Sequence, residues 1–215
     1  MVVIYLNKGE EYKTVNTSEE IFNKVKDSKF YGIAKNCSSI SLAEELISNV
    51  KEKHSDASHN VSAYRVYDVN NTIEYSDDDG EPAGSSGKPV LQQISTGDLL
   101  NTVVVVTRYF GGTKLGIGGL IRAYGDTAKL AIKAAGIKKL VLYKKLKFKG
   151  PYDNIGDVLG QLEKFKADIQ NQGFEEGEFV IHAVMKYNIV NNLIKAIKKI
   201  TSDKIKIIIE DSFYL

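Results

Sequence analysis

The fold is decided by the stretch Asn101–Gly136, which reads NTVVVVTRYFGGTKLGIGGLIRAYGDTAKLAIKAAG. Its valine run, Val103–Val106, has no polar alternation, which is typical of a strand covered on both faces. From Leu120 onward, apolar residues recur at helical spacing with charged residues opposite them, and Gly136 is the expected stop. The stretch therefore predicts a buried strand, a glycine-rich turn and a helix.

The turn itself has an unusual composition, because five of the nine residues from 111 to 119 are glycine. Each glycine costs roughly 0.5–1 kcal/mol relative to alanine in regular structure, so the clustering indicates positive φ angles or close approach by another group. Free N–H groups at the start of the following helix, together with the helix dipole, favour an anion such as phosphate. The alternative is that the glycines serve only to pack the helix on the strand.

Two further observations define the predicted phosphate or nucleic-acid site. The chain has 26 lysines but only three arginines, and Arg108 and Arg122 flank the turn. Arginine offers a planar fork of donors that suits phosphate or carboxylate. The predicted binding residues are Arg108, Tyr109, Gly111, Gly112, Lys114, Gly116, Gly118, Gly119 and Arg122.

Familiar nucleotide-binding motifs do not fit this turn. Gly111 and Gly116 have Walker A spacing, but Ile117 and Gly118 stand where Lys and Ser or Thr are required. A dinucleotide fingerprint beginning at Gly116 would need a third glycine at position 121, which is Ile121. No cofactor is predicted.

A second loop, from Tyr75 to Pro89, is rich in glycine and proline and carries adjacent acidic residues. It does not have the ligand spacing of a calcium loop, and no metal site is predicted. One alternative is that its acids pair with Arg108, Arg122 or Lys114 and cap the following helix. Another is a metal-assisted hydrolase using Asp78, Asp79, Glu81 and His59. The residues associated with this loop are Asp78, Asp79, Gly80, Glu81, Ser85 and Lys88, with His59 as a further site candidate.

Composition and charge bound the class of protein. Hydrophobic residues make up 43% and charged residues 26% of the 215 residues, as in an ordinary globular protein, and no apolar run is long enough to span a membrane. The single cysteine, Cys37, excludes an intramolecular disulfide, so we expect a cytoplasmic protein with no disulfide-linked partner. Residues 1–135 carry 15 basic and 17 acidic side chains, whereas residues 136–215 carry 14 lysines and 10 acidic side chains. The second part is the basic one.

Local patterns predict the remaining elements of the first part. Short strands are expected at Glu11–Val15, Phe30–Ala34 and Asn60–Tyr67. A helix capped by Ser41, with Glu44 completing a capping box, is expected to reach about Lys53. Pro89 begins a short helix that ends near Gly97.

The second part predicts the order βαββαβ, the ferredoxin-like split pattern. Its first strand lies within Lys138–Lys149 and alternates lysine with apolar residues from Lys145 onward. The final strand, near Lys204–Glu210, is expected to turn Ile205, Ile207 and Ile209 inward. The lysine-rich strand face either binds RNA backbone or is simply solvated.

The segments DDDGEPAGSSGKPVL and VVVVTRYFGGTKLGIGGLIRAYGDTAK together resemble the signature of the IMPACT/YigZ family, and ASHNVSAYRV upstream is similar to it as well. The resemblance covers roughly residues 15–135. It implies a two-domain α+β protein, with an N-terminal domain (1–136) whose fold is shared with a small-subunit ribosomal protein and domain IV of elongation factor G. The C-terminal domain (137–215) would be ferredoxin-like. Ser85 and Ser86 depart mildly from the Gly-Thr-Ala type of turn that the family commonly shows.

For function, the resemblance implies a translation-associated regulator or nucleic-acid-binding protein and not a well-established enzyme. Eukaryotic relatives act by binding a protein partner on the ribosome through a further N-terminal domain, for which this chain has no room. The partners expected here are RNA or a ribosome-associated protein. A purely protein-binding adaptor remains an alternative.

Overall fold

The computed structural model describes residues 10–68 and 71–215, so the predicted N-terminal domain is described except for residues 1–9, 69 and 70. The chain divides into two compact units. One comprises Tyr12–Lys139, and the other comprises Leu140–Leu215 together with residues 10 and 11. Both units combine helices with antiparallel strands, so the predicted α+β class is confirmed.

The larger unit is built on a five-stranded antiparallel sheet with the order β2-β3-β6-β4-β5. A further strand, β1, lies outside this sheet. The strands of this part are β1 (Glu11–Val15), β2 (Ile21–Val25), β3 (Ser28–Asn36), β4 (His59–Asp68), β5 (Asn71–Asp77) and β6 (Thr102–Tyr109). The helices are α1 (Ile40–Lys53), α2 (Gly87–Thr96) and α3 (Ile117–Ala135).

The central strand β6 is covered on both faces, as its valine run predicts. Val104 and Val106 pack in the main core with α2 and α3, where Tyr124 is fully buried. Val103 and Val105 pack on the other face, in a smaller core with α1. Arg108 and Tyr109 at the end of β6 are consecutive, so they too point to opposite faces of the sheet.

Three details of the first part differ from the prediction. The cap of α1 is Ser39, whose hydroxyl accepts from the Leu42 N–H, and Ser41 lies exposed inside the first turn. Strands β2 and β5 were not predicted. Both are edge strands of the sheet, and β5 is exposed along most of its length, so no apolar pattern marks it.

The smaller unit has the predicted βαββαβ order, with the antiparallel strand order β10-β7-β9-β8. One helix-covered core is formed by both helices and the inner sheet face. Its elements are β7 (Ile137–Pro151), α4 (Ile155–Lys164), β8 (Asp168–Glu175), β9 (Glu178–Lys186), α5 (Tyr187–Ile200) and β10 (Lys206–Tyr214). Ile205 and Ile207 pack inward as predicted, but Ile209 is 45% exposed, next to a shift in the pairing register of β10.

Candidate functional site

The glycine segment, which we define as residues 110–119, is mostly exposed and leads directly into α3. Gly112 and Gly116 have φ angles of 91° and 73°, which only glycine adopts at little cost. Gly116 is the residue before the helix, and its carbonyl accepts from the Leu120 N–H. No side chain in the described part of the chain caps this helix. The N–H groups of its first turn are therefore left for solvent or a ligand.

The other glycines of the segment have different reasons. A side chain at Gly111 would collide with the backbone of Asp27, and one at Gly119 would crowd Leu115. Gly118 has neither a positive φ nor a close neighbour, because a Cβ built there meets no atom within 4 Å. Internal packing does not explain why the first turn of α3 carries a glycine at 118. Close approach of an external group to the backbone would explain it.

Arg108 lies beneath this segment and not on its surface. It is only 5% exposed; its Nη1 donates to Glu81 Oε1 at 2.6 Å and its Nη2 donates to Ser28 Oγ at 3.2 Å. Its guanidinium also lies 5.4 Å from the centre of the Phe110 ring. Arg108 therefore follows the alternative prediction, in which an acid of the second loop is its partner. The other two predicted cations, Lys114 and Arg122, are exposed.

Asp78 and Asp79 hold the acidic loop in place. The Asp78 carboxylate accepts from the backbone N–H groups of Gly84, Ser86 and Gly87 and from the Ser86 hydroxyl, which closes the N-terminus of α2. Burial opposes ionisation of Asp78, but these hydrogen bonds outweigh it and lower its pKa. Asp79 accepts from the Asn60 N–H at 2.6 Å and from Lys51 Nζ at 2.8 Å. Burial opposes ionisation of Asp79 as well, but these two hydrogen bonds outweigh it and lower the pKa.

Of the remaining predicted residues of that loop, Gly80 lies beside His59. Gly80, with φ 87°, lies against the imidazole ring, while Ser85 donates to the Pro82 carbonyl and Lys88 is exposed. His59 Nδ1 lies 2.8 Å from the Asp79 carbonyl oxygen, which can only accept. Nδ1 therefore carries the proton, and in the neutral ring Nε2 is left as an acceptor. That nitrogen lies 3.9 Å from Glu81 Oε1.

These groups meet at a cavity of about 490 Å³. One end is polar and is lined by His59, Glu81 and Arg108. The walls are mainly apolar and come from Pro82, Phe110, Leu115, Ile117 and Leu120. The exposed Lys114 and Gly116, the residue before α3, also line this cavity.

The carboxylates do not assemble into a metal centre. Among the described residues there is no group of three or more His, Cys, Asp or Glu side chains placed to hold an ion. Asp78 and Asp79 are instead hydrogen-bonded to the chain, and Glu81 accepts from both Arg108 and the Tyr124 hydroxyl. Among the described residues, these carboxylates therefore form no ligand set of the kind that the metal-assisted alternative requires.

A known protein domain matches the part of the chain that forms this cavity. The model of the Impact N-terminal domain matches residues 26–132, which contain the acidic loop and the glycine segment. The chain is 37% identical over 153 residues to the IMPACT family member YvyE of Bacillus subtilis, covering 71% of this chain and 70% of that protein. The chain belongs to the IMPACT family. It is also 34% identical over 115 residues to the IMPACT family member YigZ of Escherichia coli, covering 53% of this chain and 56% of that protein.

A solved structure described as a hypothetical protein shares the fold of this IMPACT family member. The TM-score is 0.62 at 21% sequence identity, and the alignment covers 94% of this chain and 98% of the other. The predicted resemblance to the IMPACT/YigZ family is confirmed. Within the described residues, no helix combines the length and apolar character needed to cross a membrane.

On the opposite face of β6, this IMPACT family chain has a second polar cluster that no sequence pattern revealed. His54 is buried, with Nε2 3.0 Å from Glu20 Oε2 and Nδ1 3.0 Å from the Tyr109 hydroxyl, which donates to Asp56 at 2.9 Å. The two carboxylates can only accept, so one proton comes from Tyr109 and both ring nitrogens of His54 must be protonated for all three bonds to form. Tyr109 thus belongs to this cluster and not to the cavity beside Lys114. A separate cavity of about 350 Å³ lies next to it.

Burial and ion pairing limit two other groups of the chain, the Cys37 thiol and the lysines at the end of β7. Burial raises the pKa of the Cys37 thiol to about 12, so its thiolate is not accessible at neutral pH. In the smaller unit, two lysines of β7 form ion pairs: Lys147 with Glu175 at 3.1 Å and Lys149 with Glu176 at 2.9 Å. Part of the predicted basic face is therefore neutralised internally.

Proposed function

We propose that this IMPACT family member is a cytoplasmic, translation-associated protein that binds the phosphate backbone of RNA through its glycine segment. The observation that carries the proposal is Gly118, a glycine that neither its φ angle nor its packing requires, in an uncapped first turn of α3 that has no acidic residue and lies near the exposed Lys114. The first turn of α4, which holds Gly156, carries Asp157 instead. A phosphate resting on the N–H groups of that turn needs the space that a side chain at 118 would occupy.

The charges around the turn support the same ligand. Lys114 and Arg122 are exposed near the start of α3, and Arg108 is withdrawn into its ion pair with Glu81. The anion would therefore meet exposed cations and backbone dipoles. The buried pair of Arg108 and Glu81 would stabilise the end of β6 beneath it. Two cations are few for a nucleic-acid site, so we expect modest affinity with a shallow dependence on salt.

The test is binding of ribosomal or transfer RNA across a salt series, measured with the wild type and three variants. Gly118→Ala should weaken binding by roughly tenfold because its methyl group blocks the phosphate, an effect on the order of one lost contact. Lys114→Ala should weaken binding and reduce the slope of log affinity against log salt by roughly 1.

Gly156→Ala is the matched control, because Gly156 is the second residue of α4 just as Gly118 is the second residue of α3, and it also has no neighbour within 4 Å. It should bind RNA like the wild type. A salt-independent affinity, or equal binding by Gly118→Ala and Gly156→Ala, would contradict the proposal. Co-purification with a ribosome-associated protein that survives nuclease treatment would favour the protein-binding adaptor instead.

A further inference from the structure

The cavity beside the glycine segment has a polar end that is unsuited to phosphate. Arg108 contributes a positive charge and Glu81 a negative one, 2.6 Å apart and both almost completely buried. His59 adds a ring nitrogen, Nε2, which is an acceptor in the neutral ring because Nδ1 donates to the Asp79 carbonyl. A phosphate placed there would meet the Glu81 carboxylate at close range in a poorly hydrated site, which is strongly unfavourable.

The same polar end retains unused hydrogen-bonding capacity. Arg108 Nε is buried and has no partner among the described residues, although the rest of the guanidinium is bound. His59 Nε2 is not within hydrogen-bonding distance of Glu81. Buried donors without partners are uncommon in proteins. Arg108 and His59 both line the cavity, so a ligand that enters it lies next to these polar groups. The group that suits this end is neutral, with both donors and acceptors.

The walls of the cavity are suited to a flat apolar surface. Phe110 is 47% exposed and Ile117 is 63% exposed, and both line the cavity on the side of the glycine segment. Leu115 and Leu120 continue the apolar wall. Exposed aromatic rings of this kind stack on bases in proteins that bind single strands. The volume of about 490 Å³ also lies within the usual range for sites that enclose a small organic group.

We propose that the cavity binds one unpaired base of an RNA strand, stacked on Phe110 with its polar edge toward His59, Glu81 and Arg108, while its phosphate rests on the N-terminus of α3. This inference rests on the proposed function and narrows its ligand to single-stranded RNA. A base within a duplex has its edge paired and its faces stacked, so it cannot enter. The phosphate lies at the mouth with the exposed Lys114, and the neutral base occupies the interior beside the buried pair of Arg108 and Glu81. The cation thus meets the charged group and the ion pair meets the neutral one.

The experiment measures fluorescence anisotropy with a labelled single-stranded RNA, the same sequence as a duplex, and the same strand with abasic sites. Wild-type protein should bind the single strand at least about tenfold more tightly than the duplex or the abasic strand. Phe110→Ala should weaken single-strand binding by roughly 5- to 100-fold, the range that follows from one lost base stack, and should weaken duplex binding much less. Phe174→Ala, which removes an exposed phenylalanine from β8, is the control and should change neither.

The outcomes separate this inference from the proposed function. If Gly118→Ala weakens binding but single strand, duplex and abasic strand bind alike, the phosphate site stands and the base site is wrong. If Phe110→Ala binds the single strand as well as Phe174→Ala does, the base site is likewise wrong. If no RNA binds at any salt concentration, both proposals are wrong. Thermal unfolding of each variant confirms that any loss does not come from misfolding.

Discussion

The acidic loop and the glycine segment both face the cavity, yet the chain treats their polar groups in opposite ways. In the acidic loop, Asp78, Asp79 and Glu81 all have partners within the chain. In the glycine segment, the first turn of α3 has no side-chain cap and Lys114 is exposed. The difference shows that charged residues in a signature can serve the fold itself. The acids of the acidic loop stabilise the wall of the cavity, whereas the polar groups of the glycine segment stay accessible to solvent.

The largest expected effect comes from breaking the buried pair between Glu81 and Arg108. Glu81→Gln leaves the Arg108 charge buried without a counter-charge, so the free energy of unfolding should fall by about 3–5 kcal/mol in urea titrations. Combining Glu81→Gln with Arg108→Met should recover part of the loss, because no uncompensated charge then remains.

The pair between Lys147 and Glu175 is the control for this experiment. Its side chains are 22% and 51% exposed, against 6% and 4% for Arg108 and Glu81. Glu175→Gln should therefore cost no more than about 1 kcal/mol. Equal losses for Glu81→Gln and Glu175→Gln would mean that the buried pair does not support the wall of the cavity.

A smaller effect, with a distinctive pH dependence, is expected at Asp78. Its folded pKa is lowered from the ordinary value of 3.8, so its hydrogen bonds contribute fully above that value and are lost as the pH falls through the lower folded pKa. Asp78→Asn should cost about 1–2 kcal/mol at pH 7, the usual cost of losing a cap, and should flatten the loss of stability below about pH 4. Urea titrations from pH 2 to pH 7 measure both effects.

The exposed Asp126 on α3 provides the comparison for Asp78. Asp126→Asn should leave the stability at pH 7 within about 0.5 kcal/mol of the wild type. If Asp78→Asn keeps the full acid dependence of the wild type, the cap at the start of α2 is not the source of that dependence.

Sequence patterns predicted the elements that carry dense local signals. The run Val103–Val106 is continuous and β-branched, and the helix that ends at Ala135 has a helical periodicity. Few alternatives fit either pattern. Edge strands such as β5 lack that signal because they bury little. For the helix α1, the choice between Ser39 and Ser41 as cap depends on backbone angles that the residue types do not determine, since both are serines in the same short stretch.

The candidate site was predictable in its residues but not in its pairings. The sequence offers three cations near the glycine segment as partners for the acids. In the fold the buried one, Arg108, pairs with Glu81, which is 27 residues away in the sequence. The cluster around His54 joins residues from separate loops and strands, and no spacing rule brings Glu20 to it across 34 residues. Distances of this kind follow from the sheet order, which sequence patterns do not give.

The smallest effects lie within the glycine segment, and their signs distinguish its two kinds of glycine. Gly116 has φ 73° and ψ 163°, a backbone region that is essentially restricted to glycine, so Gly116→Ala should lower the free energy of unfolding by about 1 kcal/mol, the low end of the usual cost. Gly118 has helical surroundings and open space around it, so Gly118→Ala should raise that free energy by about 0.5–1 kcal/mol. Urea titrations of both variants, with Gly156→Ala beside them, measure the two signs. A loss of stability in Gly118→Ala would show that the fold itself requires this glycine, and the reason for reserving its space for a ligand would disappear.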